Sequence, residues 1–166
     1  MTLQYRLAPE PLGLDEILVL LDAPNALAPK LVRNGFVERM EYGFGHFLTP
    51  HDIQRAQDHR TVDLLDRVPG VVLAGANTET YAGRILRLQG PYGPCQPQVY
   101  LDGVRVEADK PGDVEALAPL SDLDAVEIYT RRSSVPLQYA SGGWGGDSET
   151  LDNNPCGVVL FWTKGG

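Results

Sequence analysis

Five consecutive apolar residues, Val158-Val159-Leu160-Phe161-Trp162, run up to Thr163-Lys164 near the end of the chain. Successive side chains of a strand point to opposite faces, and a strand apolar at every position is usually buried on both. On that reading Phe161 and Trp162 are core and rim residues. They are also aromatic, as residues at protein interfaces tend to be, so together with Trp144 they stand as candidate contact sites. The elements around this strand have to be short. Thirteen prolines and 18 glycines in 166 residues break the chain repeatedly, because proline removes a helix hydrogen bond and glycine favours turns. The length fits one domain with an attached arm, and a hydrophobic content of 43% is enough for a core.

The helix signals are clearest between Thr49 and Val68. Thr49-Pro50-His51-Asp52 offers a capping hydroxyl, a proline at the first helical position and a carboxylate at the third. A second start follows at Thr61, with Asp63 supplying negative charge near the helix N-terminus. Leu64, Leu65 and Val68 make its apolar face, Pro69-Gly70 stop it, and Val71-Val72-Leu73 leaves as a strand. The strongest hairpin signal is VYLDGVRV, Val99–Val106, in which Asp102-Gly103 suits a two-residue turn with positive φ at both positions. Short strands are expected at Gln4–Leu7, Ile17–Leu21, Arg84–Leu88 and Ala125–Thr130, and helical turns at Asp113–Leu117 and Leu120–Asp124. The stretch Leu27–Glu41 is ambiguous apart from the turn signal Asn34-Gly35 and the anchor Phe36. Ser141–Asn154 reads as a Gly-rich polar loop. The sum is an α+β domain with a small mixed β-sheet of about four to five strands and about two to three short helices.

Charge excludes one class of partner. The net charge is −8 and the 14 basic residues are scattered, Arg131-Arg132 being the only adjacent pair. A nucleic-acid surface needs clustered Lys and Arg. No stretch approaches the roughly 18 apolar residues of a membrane helix. His46, His51 and His59 do not share one helix face and meet no zinc template. Asp147, Glu149, Asp152, Asn153 and Asn154 form an oxygen-rich loop that could hold calcium but lacks EF-hand periodicity, so a polar insertion is the better reading. Gly142–Gly146 does not link a strand to a helix as a nucleotide loop does. No nucleophile motif occurs, and no catalytic residue, metal or cofactor is expected. Cys95 and Cys156 are too few for a four-cysteine site. They would pair in an oxidising compartment, at a gain of roughly 4 kcal/mol, or remain two buried thiols in the cytoplasm.

Taken in order, four segments resemble the plug domain of TonB-dependent outer-membrane receptors. Gly45–Leu73, GHFLTPHDIQRAQDHRTVDLLDRVPGVVL, is similar to the plug's first helical segment with its "vPGv" end. Gln98–Val106, QVYLDGVRV, resembles its "vyvDGv" hairpin. Leu123–Thr130, LDAVEIYT, resembles its Glu-containing strand, and Cys156–Lys164, CGVVLFWTK, its closing strand. Order and spacing agree across about Gly43 to Lys164. Two departures stand out: Arg131-Arg132-Ser133-Ser134 replaces the family's "RGP" turn, and the loop Ser141–Asn154 interrupts the approach to the last strand.

The resemblance carries expectations that the residues alone do not. It implies a plug-like domain over 41–166 behind an N-terminal arm, 1–40. Leu14–Leu20, LDEILVL, is similar to the segment that overlaps the TonB box, which makes Asp15, Glu16, Ile17, Leu18 and Val19 candidate positions for edge pairing with TonB. A strand docked on the domain's own sheet is the alternative for that segment. Some plug-like sequences carry a Cys before the hairpin and "CG" before the last strand, which implies a Cys95–Cys156 disulfide. The implied location is the periplasm or the outer-membrane surface after removal of a signal peptide, although MTLQYRLAPEP itself lacks a signal profile. The implied partners are an outer-membrane β-barrel or surface assembly, and TonB. No series of about ten-residue barrel strands follows Lys164, so the chain itself is not expected to span the membrane. The function expected is non-enzymatic, as the gating domain of a receptor or as an accessory subunit. A small soluble periplasmic ligand-binding protein is the alternative, and a hydrolase with a spatially assembled site is the weakest reading.

Overall fold

The computed structural model describes residues 27–56, 60–74, 85–106, 114–140 and 156–165. The expected strands Gln4–Leu7 and Ile17–Leu21, the Asp15–Val19 segment, His59, Trp144 and the Ser141–Asn154 loop with its calcium candidates lie outside them.

The described chain begins with two short helices, α1 (Pro29–Arg33) and α2 (Phe36–Tyr42), joined at Asn34-Gly35. Gly35 takes φ 79°, a left-handed value that glycine adopts at no steric cost, and Phe36 behind it is fully buried. Strand β1 (His46–Leu48) leads into α3 (Pro50–Arg55). The α3 start is a capping box: the Asp52 N–H donates to Thr49 Oγ1 at 3.3 Å, and the Thr49 N–H donates back to Asp52 Oδ2 at 2.9 Å. In α4 (Thr61–Leu65) the Arg60 N–H likewise donates to Asp63 Oδ2, at 3.2 Å. Next come β2 (Val71–Ala74), β3 (Ile85–Gly90), β4 (Gly93–Cys95), β5 (Gln98–Leu101) and β6 (Val104–Val106). The last described elements are α5 (Val114–Leu117), β7 (Leu123–Tyr129), a 3-10 turn at Arg132–Ser134, α6 (Leu137–Ala140) and β8 (Val158–Thr163).

The strands form two sheets, a five-stranded one in the order β1-β7-β8-β5-β6 and a three-stranded one in the order β2-β3-β4. The larger sheet is mixed, since β8 runs antiparallel to β7 and parallel to β5. The α+β class is as expected; the second sheet and the additional helices extend it. Leu120–Asp124 forms no helix: Asp122 closes a turn and β7 starts at Leu123.

Strand β8 lies between β7 and β5 and is covered on both faces, as its uninterrupted apolar run requires. On one face Val159 and Phe161 join Val126 and Ile128 of β7, under Ile53, Leu64, Leu65 and Val114 of the helices and Leu86 and Leu88 of the small sheet. On the other face Val158, Leu160 and Trp162 join Ala125, Tyr129 and Tyr100, under Leu31, Phe36 and Tyr139. Helices α1 and α2 therefore pack on the same sheet as the strands that follow them. Gly157 enters β8 where any Cβ would run into the Tyr129 carbonyl, which explains a glycine directly before this strand.

Two fastenings hold the ends of β8. At its start, Cys156 is bonded to Cys95 with Cα atoms 5.7 Å apart, tying β4 of the small sheet to the central strand of the large one. At its finish, the β5–β6 turn closes over it. Asp102 and Gly103 have φ of 49° and 83°, and Asp102 accepts from the Thr163 N–H at 2.8 Å and from the Thr163 hydroxyl at 2.7 Å. Lys164 then donates from its N–H to Asp122 O at 2.7 Å and from Nζ to Ser121 O at 2.7 Å. The polar Thr163-Lys164 pair thus fastens the strand once its apolar run is complete. Asp102→Ala removes two bonds to a charged acceptor, and about 2 kcal/mol of stability should go with them. Asp102→Asn should cost less, because Asn tolerates left-handed φ and keeps one acceptor. Urea unfolding of the two variants, at unchanged m-value, checks the order.

Candidate interface: a buried arginine site

Strand β7 is buried at every position, and alternation puts Ala125, Glu127 and Tyr129 on the face beneath α1 and α2. Glu127 is 0% exposed, opposite Phe47 of β1 and Leu160 of β8. A carboxylate in that position costs several kcal/mol of desolvation unless a cation and hydrogen bonds replace the water. Arg39 of α2 supplies the cation. Its Nε donates to Glu127 Oε2 at 2.8 Å and its Nη2 to Oε1 at 2.6 Å, a bidentate fork. Trp162 Nε1 donates to Oε1 at 2.7 Å, and the Tyr129 hydroxyl donates to Oε2 at 2.7 Å. Each carboxylate oxygen thus accepts two bonds.

The guanidinium is held as closely as the carboxylate. Arg39 Nη1 donates to the Asn34 carbonyl at 2.9 Å. Its Cζ lies 5.6 Å from the Tyr139 ring centroid and 5.9 Å from that of Trp162, within cation–π range. Phe47 stands edge-on to Phe36 and Tyr129 beside them, with centroids 5.7 and 6.0 Å away. Burial alone would pull the Arg39 pKa down, but the hydrogen bonds and charge of Glu127 outweigh it and the net shift is upward.

Burial also pushes up the pKa values of Tyr129, Tyr100 and Tyr139, with Glu127 adding to the rise at Tyr129 and Arg105 opposing it at Tyr100. A raised folded-state pKa means that the folded state holds these protons more tightly than the unfolded chain. The stability this contributes is complete below the ordinary tyrosine pKa of about 10 and is lost as pH climbs through the raised values. Urea midpoints should therefore hold up to about pH 10 and fall as pH rises further, and a profile that stays flat above that point would contradict the burial of these phenols.

Among the described residues no group of three or more His, Cys, Asp or Glu could hold a metal. His46 lies on β1 and His51 on α3, where it is exposed. Phe161 and Trp162 sit inside the domain, at 0% and 5% exposure, rather than on a face that a partner can reach. The exposed apolar residues include Tyr92, on the turn between β3 and β4, and Val104, on β6. Strand β6 is one end of the large sheet, and β1 is the other.

Nothing in the sequence marks Arg39, Tyr129 or Tyr139, and Glu127 stands out only as part of a strand motif. One signal is available: a Glu in the middle of a mostly apolar strand needs a buried cation, although not a particular one.

Among the comparisons with known proteins, a family model described as TonB-dependent Receptor Plug Domain matches residues 46–146. No curated protein and no solved structure matches the chain significantly. The matched span begins at β1, runs through both sheets and ends before β8, leaving α1 and α2 outside it. It covers well over half of the 166 residues. The chain belongs to the TonB-dependent receptor plug domain family.

Proposed function

We propose that this chain works as a non-enzymatic plug, acting through protein contacts at the outer membrane, either within a β-barrel or as a subunit docked on one. The observation that carries the reading is the plug-domain match across 46–146. Plug domains are the non-catalytic gating domains of outer-membrane receptors and imply association with a β-barrel. Two features support it: the core is covered on both faces of the central strand, and the two sheets are cross-linked by Cys95–Cys156. A disulfide also fits an oxidising compartment such as the periplasm. Among the described residues no helix is long and apolar enough to cross a membrane.

Fractionating cells that produce the protein at native levels tests the reading. The chain should sediment with the outer membrane and leave it, in mild detergent, as a complex with a β-barrel protein. Recovery as a free monomer in the periplasmic fraction would contradict it.

The TonB arm of the proposal rests on Leu14–Leu20, with Asp15 to Val19 as the pairing positions. Deleting that segment should weaken binding to the TonB C-terminal domain at least tenfold by titration calorimetry, since main-chain pairing supplies the affinity in edge addition. Unchanged binding would remove TonB coupling from this segment.

A further inference from the structure

Among the described residues each end strand of the large sheet has one neighbour, and the two ends are not alike. At one end β6 carries Arg105, an exposed charge of the kind that keeps sheet edges from pairing. At the other, β1 is His46-Phe47-Leu48, with no Lys, Arg or Pro, and it pairs with β7 alone. All three β1 residues are half-buried. Leu48 packs at the margin of the apolar cluster on one face of the sheet, and Phe47 at the margin of the cluster on the other. Tyr42 and Phe44, on the approach to β1, are 64% and 72% exposed. The apolar layers on both faces therefore reach the β1 edge without a polar border.

The chain carries a segment that suits this edge. Ile17-Leu18-Val19-Leu20-Leu21 is apolar at five consecutive positions and, like β8, calls for cover on both faces. Its reach is set by the stretch from Leu21 to Leu27, six peptide units and so at most about 20 Å. Leu27 and Ala28 pack on the face closed by α1 and α2. Those helices lie over β7 and β1. Lys30 Nζ is 3.9 Å from Asp124 Oδ2 and Arg39 forks onto Glu127, both on β7, while the Phe36 ring is 5.7 Å from that of Phe47 on β1. With strands about 4.8 Å apart, the place beyond β1 is two spacings from β7, about 10 Å. The place beyond β6 is four spacings away, about 19 Å, and takes the whole linker stretched out.

We propose that Ile17–Leu21 adds to the outer edge of β1 as a further strand of the large sheet, within the same chain. In that place its side chains alternate onto Leu48 on one face and Phe47 on the other, and each apolar cluster gains the border it lacks at β1. The main-chain groups along the outer side of β1 gain partners in the same step. Asp15 to Val19 are also the positions assigned to TonB pairing, so the segment pairs with β1 or with TonB and not with both. The docking itself needs no TonB.

Hydrogen exchange of the full chain, read by mass spectrometry with no TonB present, tests the placement. Amides of 17–21 should exchange at least about tenfold more slowly than in a free peptide covering 12–24. Deleting 14–21 should speed exchange at 46–48 by about the same factor, as the outward N–H groups of β1 lose their acceptors, and leave 104–106 unchanged. Exchange of 17–21 at the free-peptide rate, or an unchanged rate at 46–48 after the deletion, would overturn the inference. Protection of 17–21 that disappears on about hundredfold dilution would assign the strand to a second copy of the chain and overturn it as well.

Discussion

Glu127→Ala is expected to destabilise the domain by about 3 to 5 kcal/mol, the usual consequence of removing one partner from a buried ion pair. The loss has several physical parts. Arg39 keeps its charge and loses its counter-ion, while the Trp162 N–H and the Tyr129 hydroxyl each lose a 2.7 Å acceptor inside the core. Glu127→Gln should cost less, because the amide oxygen still accepts, but its NH2 faces donors where the carboxylate accepted. The double replacement Arg39→Met with Glu127→Met separates the charge from the packing. It should recover part of the loss of either single variant, since two apolar side chains carry no desolvation penalty. Recovery will be incomplete, because Trp162 and Tyr129 still lack a partner. Urea unfolding of the parent, the two single methionine variants and the double variant gives the cycle. A Glu127→Ala midpoint indistinguishable from the parent would mean that the site is open to water.

Breaking the Cys95–Cys156 bond should have an effect of similar size. The bridge spans 61 positions, and a loop of that length restricts the unfolded chain by about 4 kcal/mol in the chain-entropy treatment. In the folded state the same bond joins β4 to the entry of β8, so its loss should loosen the small sheet first. Cys95→Ser with Cys156→Ser, or reduction, should lower the urea midpoint accordingly. Exchange protection should fall more in β3 and β4 than in β7. A reduced protein unfolding at the same urea concentration as the oxidised one would contradict the role given to the bond.

The parts of this fold that were legible in the sequence are those with local causes. Thr49-Pro50 and Asp52 cap their own helix, Asp102-Gly103 make their own turn, and Val158–Trp162 announce a strand with two covered faces. Elements made by distant partners were harder to see. Strand β1 is three residues long and exists because it pairs with β7, and β4 is equally short and pairs with β3. Leu27–Glu41 was ambiguous because its two helices have little local support and depend on docking to the sheet. Spacing left the cysteine pairing open, and the plug resemblance supplied it. The Arg39–Glu127 contact, separated by 88 positions, has no sequence mark beyond an acid in the middle of a mostly apolar strand.

The central claim, that this domain acts by contact with a barrel, is best tested at a surface the fold leaves open. Tyr92 is 97% exposed on the turn between β3 and β4, so replacing it with a photoreactive p-benzoylphenylalanine does not touch the core. The same substitution at Phe161, which is 0% exposed, serves as the buried control. Irradiating cells that carry each variant and identifying the adducts gives a direct readout. The account predicts an adduct between position 92 and an outer-membrane β-barrel protein, and none from position 161. Adducts from position 92 confined to soluble periplasmic proteins would contradict it.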